Sequence, residues 1–112
     1  MKKAITIVMV LVTILLSSCG GGKPSDLSDE AYNQAVDIVK VADFYDNGTY
    51  DSSNAYSLIG IKYDEFSEID DSSNTYLNLS IEIPLLRNYI KDHNQVAFKA
   101  QLEQIKEKLG IK

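Results

Sequence analysis

Three oxygen-donor side chains, Asp43, Asn47 and Asp51, recur at every fourth position between residues 43 and 54. Carboxylate and amide oxygens at such spacing are the donors a hard cation such as calcium takes, provided six to eight of them converge. A second polar group is Asp92-His93-Asn94, which holds the single histidine of the chain. An imidazole beside a carboxylate has the parts of a general base. No serine lies in a recognisable nucleophile context, however. One histidine and one cysteine also fall short of the four nitrogen and sulfur ligands of a structural zinc site. The third group is aromatic: Tyr32, Tyr45, Tyr50, Tyr56, Tyr63, Tyr76 and Tyr89, of which Tyr45 and Tyr50 flank the turn Asp46-Asn47-Gly48.

The stretch 43–54 resembles a degenerate EF-hand calcium loop. Asp43, Asn47 and Asp51 stand for ligand positions 1, 5 and 9, and Gly48 stands for the turn glycine. Tyr45 departs at position 3, and Asn54 departs at position 12, where a glutamate normally supplies two oxygens. The expectation is therefore a turn between two helices, with Asn47-Gly48 reversing the chain and Asp51 capping the second of them. No metal and no cofactor is expected. His93 is expected in a solvated or capping role, and the tyrosines at the edge of a core, each ring packed and each hydroxyl reaching outward.

The one cysteine, Cys19, closes a different pattern. Lys2 and Lys3 precede Ala4–Leu16, a run of apolar residues broken only by Thr6 and Thr13. Ser17 and Ser18 then lead into Cys19. A basic start, an apolar run too short for the roughly 20 residues of a spanning helix, and small residues at the end make a secretory signal. The quartet Leu16-Ser17-Ser18-Cys19 resembles the lipobox of bacterial lipoproteins. That resemblance implies cleavage between Ser18 and Cys19, a diacylglyceryl group on the Cys19 sulfur and, in many bacteria, acylation of the new α-amine. Gly20 replaces the aspartate of the inner-membrane retention rule. The implied location is the outer membrane in a Gram-negative host, or the outer face of the cell membrane in a Gram-positive one. Removal of residues 1–18 takes away Lys2 and Lys3, so the formal charge moves from −5 to −7. Residues 19–25 read as the lipidated cysteine and a flexible Gly-Gly-Gly-Lys-Pro-Ser tether.

Residues 26–112 then form one small domain. Ser28 is an N-cap signal, followed by Asp29 and Glu30 in the first turn and a Leu27/Tyr32 staple. Tyr32, Val36, Val39 and Ala42 recur at helical spacing, widened by Ala35, Ile38 and Tyr45. A second helix starts near Asp51 or Ser52 with the stripe Tyr56, Ile59, Tyr63 and Phe66, and Gly60 inside it weakens it by about 1 kcal/mol. The third segment carries two patterns. Leu77, Leu79, Ile81 and Ile83 alternate with Asn78, Ser80 and Glu82 as in a strand. Tyr76, Leu79, Ile83, Leu86 and Ile90 step as in a helix, yet Pro84 removes one hydrogen bond and crowds the carbonyl of Ser80. No second segment alternates convincingly as a strand partner, so the expectation is a helix from about Ser73 to Asp92, kinked or interrupted at Pro84. The alternative is an α+β domain with an extended segment over 75–83. A fourth helix starts at Asn94, with Phe98, Leu102, Ile105 and Leu109 inward and Gly110 as its stop. The fold class expected is all-α, a small bundle of about four short helices.

Net negative charge lacks the basic footprint that phosphate requires, which excludes a nucleic-acid partner. Residues 26–71 hold 12 of the 16 acids against Lys40 and Lys62, while residues 87–112 carry a basic excess. The halves either attract each other within the bundle or leave an acidic face for a cationic partner. The functional expectation is a non-enzymatic, lipid-anchored module that binds a protein or peptide outside the cytoplasm. The alternatives are a small envelope enzyme or ligand carrier with His93 at the mouth of a Tyr- and Asp-lined cleft, and a pheromone precursor in which Leu11–Ser18 is the released peptide.

Overall fold

The computed structural model describes residues 22–111, so Ser18, Cys19 and Gly20 lie outside the described residues. Four helices succeed one another: α1 (Asp29–Asp46), α2 (Ser52–Ser67), α3 (Asn74–Lys91) and α4 (Gln95–Leu109). The described residues hold no strand, and the protein is a small all-α bundle. Each helix begins at a side-chain cap. Ser28, Asp51, Ser73 and Asn94 accept from the backbone N–H groups of Ala31, Asn54, Tyr76 and Ala97, satisfying donors that have no partner within the helix. α4 ends at Gly110, whose φ of 71° lies in the left-handed region that a glycine adopts without a Cβ penalty.

Short turns make successive helices antiparallel. α1 packs on α2, α2 on α3 and α3 on α4, and α1 meets α4 to close the ring. The inner faces of α3 and α4 are those expected: Tyr76, Leu79, Ile83, Leu86 and Ile90 meet Phe98, Leu102, Ile105 and Leu109. α1 differs. Its buried stripe is Ala31, Ala35, Ile38, Val39 and Ala42, with Val41, while Tyr32 and Val36 sit at its edge. Ala31, Ala35 and Ala42 are fully buried. A methyl group there permits close approach of the neighbouring backbones, which a tyrosine would prevent, and close packing decides between two otherwise apolar faces.

α3 runs through Pro84 without interruption. The α+β alternative and the interruption at Pro84 are thereby corrected, and the reason lies on the neighbouring helix. Proline has no N–H, so the Ser80 carbonyl one turn earlier loses its helical donor. The Tyr63 hydroxyl of α2 donates to that carbonyl at 2.7 Å. Burial raises the Tyr63 pKa above its ordinary value, and the phenol, protonated at neutral pH in any case, is able to donate. Further along the same seam, Tyr76 donates to the Phe66 carbonyl at 2.6 Å and stacks on the Phe66 ring at 4.6 Å. Gly60 also has a reason. Arg87 of α3 lies 3.7 Å over the Tyr56 ring and donates from Nε to the Tyr56 carbonyl at 2.9 Å. A Cβ on Gly60 would stand 2.7 Å from the Arg87 Cζ. The weak helix former therefore makes room for a cation–π contact between helices.

The bundle is also strapped at one end. Asp71 accepts from the Ser28 N–H at 3.0 Å and from the Ser73 N–H at 2.9 Å, while Asp26 accepts from the Thr75 N–H at 3.2 Å and its hydroxyl at 2.7 Å. Two carboxylates thus join the positive N-terminal ends of α1 and α3. Burial pushes the Asp71 carboxyl up, but the N–H and hydroxyl donors of Ser28 and Ser73 outweigh it and hold the pKa at about 2. The chain touches the bundle as early as Gly22, whose N–H donates to the Gly110 carbonyl at 3.3 Å.

Tyr63→Phe lowers stability by about 1–2 kcal/mol in urea unfolding, because it leaves a part-buried carbonyl unpaired. In a Pro84→Ala background, where residue 84 again donates to Ser80, the same change costs clearly less; equal losses in both backgrounds would contradict the repair. For Asp71, a folded pKa below the unfolded one means stability that is present above about pH 4 and lost as pH falls toward 2. Asp71→Asn therefore removes about 1 kcal/mol at neutral pH and flattens the acid limb of a melting-temperature profile over that window.

Candidate functional site

The alternation that mimics a strand in α3 resolves into the two opposite faces of one helix. Leu79 and Ile83 point into the core with no exposed surface, while Leu77 and Ile81 point away from it and are 51% and 65% exposed. Leu85 continues the outer line at 39%. Positions 77, 81 and 85 are each four residues apart, so their side chains stack along about 12 Å of one helix face. Asn74, Asn78 and Asn88, all exposed, lie on the same side of the helix. None of these six side chains is ionisable.

The charged residues of α3 are engaged elsewhere or lie beyond this stretch. Glu82 turns toward α4, where its Oε2 pairs with the Lys108 Nζ at 3.1 Å, and Arg87 turns toward α2 and Tyr56. Lys91 falls in the last turn. The outer face from Asn74 to Asn88 therefore combines exposed apolar side chains with uncharged amides. Among the described residues the remaining exposed large apolar side chains, Phe44, Ile61 and Val96, are on other helices. A stripe of this kind does no covalent chemistry. It gains free energy only by losing water to another surface, by about 25 cal/mol for each Å² of apolar area covered.

The residues singled out in the sequence are not brought together. Asp43 is inside α1, where it pairs with the Lys106 Nζ at 2.7 Å. Asn47 uses its Oδ1 to accept from the Thr49 N–H at 2.9 Å and the Thr49 hydroxyl at 2.6 Å. Asp51 caps α2 through the Asn54 N–H at 2.7 Å. Among the described residues no group of three or more His, Cys, Asp and Glu side chains could hold a metal ion. His93 is exposed in the turn between α3 and α4 with φ at 56°. That left-handed position is strained for a residue with a Cβ, although histidine tolerates it better than most.

All seven tyrosines pack within or against the core: Tyr76 is buried, and the other six are packed against it. Tyr45 meets the Phe98 ring edge-on at 5.1 Å, and its hydroxyl accepts from the Gln95 Nε2 at 2.9 Å. A small part of the charge asymmetry is met between helices: Lys99 and Lys106 of α4 pair with Asp46 and Asp43 of α1, and Lys108 pairs with Glu82 of α3. An open cleft of 380 Å³ lies between the start of α1 and the end of α2, lined by Glu30, Gln34, Glu65, Glu68 and Ile69. The Oε1 of Gln34 is buried there without a hydrogen-bond partner. His93 and the tyrosines do not line this cleft.

Sequence reasoning misses the outer stripe because Leu77 and Ile81 fall within an alternation that also includes the inner residues. The signal that reveals it is the i, i+4, i+8 recurrence of Leu77, Ile81 and Leu85, displaced around the helix from the stripe that contains Leu79 and Ile83.

If His93 serves the turn through its backbone alone, His93→Gly relieves the left-handed strain and raises stability by about 0.5–1 kcal/mol, read as a higher melting temperature. A drop would mean that the imidazole makes a contact worth more than that strain. No protein-family model, no curated protein and no solved structure matches this chain.

Proposed function

We propose that this protein is a lipid-anchored extracytoplasmic module, without catalytic chemistry of its own, that makes protein contacts through the outer face of α3. The observation that carries the reading is the line Leu77, Ile81 and Leu85, exposed on a face with no ionised group in a chain that is otherwise rich in charge. A surface that is uncharged over two turns of helix is suited to being covered by another protein.

Anchoring rests on the lipobox-like Leu16-Ser17-Ser18-Cys19. One acyl chain binds a bilayer only marginally, whereas the two or three expected on Cys19 hold it stably, because each buried methylene contributes about 0.8 kcal/mol. Among the described residues no helix is long and apolar enough to cross a membrane. The lipid would therefore be what keeps the domain at the surface, and the −7 charge of the mature chain disfavours adhesion to anionic headgroups.

The test uses the full chain in a bacterial host. Cys19→Ala should give a larger, unlipidated precursor that leaves the detergent phase, and unchanged mobility and partitioning would reject the anchor. A photoreactive benzophenone side chain at position 81 should give covalent adducts in intact cells, while the same group at the exposed Asn33 of α1 should not. Absence of any adduct from position 81 would reject α3 as the contact surface.

A further inference from the structure

We infer that the outer face of α3 pairs with the same face of a second copy of this chain; this rests on the proposed role of that face and names its partner. Two observations select a copy rather than an unrelated protein.

The first is charge. The mature chain carries −7, and the residues of α1 and α2 and their flanks hold most of the acids. Two copies approaching through those helices repel each other. A cationic partner would seek that side and would gain nothing from an uncharged stripe. The face running through Asn74, Leu77, Asn78, Ile81, Leu85 and Asn88 opposes no like charge when it meets itself.

The second is the spacing. Centred on Ile81, the face is symmetric at four of its positions, with Leu77 and Leu85 four residues to either side and Asn74 and Asn88 seven, while Asn78 has Pro84 as its counterpart. A two-fold axis beside Ile81, perpendicular to the helix, therefore sets Ile81 against Ile81, Leu77 against Leu85 and Asn74 against Asn88. Leucines meet leucines and the outer amides, which both donate and accept, meet amides, while Asn78, set against Pro84 at the exposed flank, keeps its amide in water. That is the self-complementarity an isologous contact requires. Antiparallel helices also oppose their dipoles favourably.

The contact is small. A stable pair in dilute solution buries about 800 Å² on each partner, well beyond what three side chains over two turns supply. Confinement of both copies to one membrane surface raises their effective concentration and makes a weak contact sufficient. The pair belongs to the anchored protein and is largely absent from the released domain.

The experiment coexpresses two full chains with different epitope tags, each carrying the benzophenone side chain at position 81, and irradiates intact cells. The expected product is an adduct of twice the chain mass that contains both tags. In that background Leu77→Asp and Leu85→Asp should each reduce the adduct at least about tenfold, because each sets a carboxylate against an apolar side chain of the facing copy. Both positions are exposed, and circular dichroism of each variant should show the parent helix content. Undiminished adduct in both variants would overturn the register. Adducts that contain one tag and a different protein would overturn self-pairing while leaving α3 as the contact face. Adducts formed equally from position 81 and from Asn33 would reduce the pairing to collision on the membrane and overturn it. The absence of any adduct would overturn both the pairing and the proposed contact face.

Discussion

Everything distinctive in this bundle depends on α3 crossing Pro84 as a single helix. A break there would turn the five inward residues from Tyr76 to Ile90 into two short, misaligned stripes, and the outward line of Leu77, Ile81 and Leu85 would lose its register. The hydroxyl of Tyr63 prevents this by supplying the donor that proline lacks. The repair comes from α2, so the continuity of α3 is a property of the packed pair and not of the segment alone. The proline also stiffens the middle of the helix: its φ is fixed, and the unfolded chain has less freedom to lose there.

The same seam explains two kinds of residue that look unfavourable in isolation. Gly60 weakens α2 locally but opens the space that Arg87 occupies over the Tyr56 ring. Tyr76 and Tyr63 place polar groups at the edge of the core, and each finds a backbone carbonyl on the facing helix. Local propensity and tertiary packing conflict at these positions. Packing prevails because a part-buried hydrogen bond together with an aromatic contact outweighs a helix propensity difference of about 1 kcal/mol.

Much of the fold is legible in the sequence, because its signals are local. Ser28, Asp51 and Asn94 cap the helices they are expected to cap, and the stripes of α3 and α4 are those read from spacing. α1 is displaced around its axis: Tyr32 and Val36 are as apolar as Ala31 and Ala35, and only the approach of the neighbouring helices favours the smaller set. The bond from Tyr63 to Ser80 is not legible, since it joins residues whose proximity exists only after α2 and α3 have packed. The candidate site is harder still. Asp43, Asn47 and Asp51 have the right donor atoms, but an ion pair, a turn and a cap each claim one of them. The stripe on α3 is visible in the sequence as alternation, and its meaning emerges only once the helix has divided it into an inner and an outer face.

The contact between Gly22 and Gly110 brings the two ends of the described residues to one spot. The ring of helices is therefore nearly closed in sequence as well as in space. Joining those two ends with a short linker and opening the chain in the turn between α1 and α2 would yield a circular permutant with the same core, since every helix would keep its neighbours. For such a protein the order of the helices along the chain is a matter of where the ends happen to fall, and the cyclic order around the core is what carries the architecture.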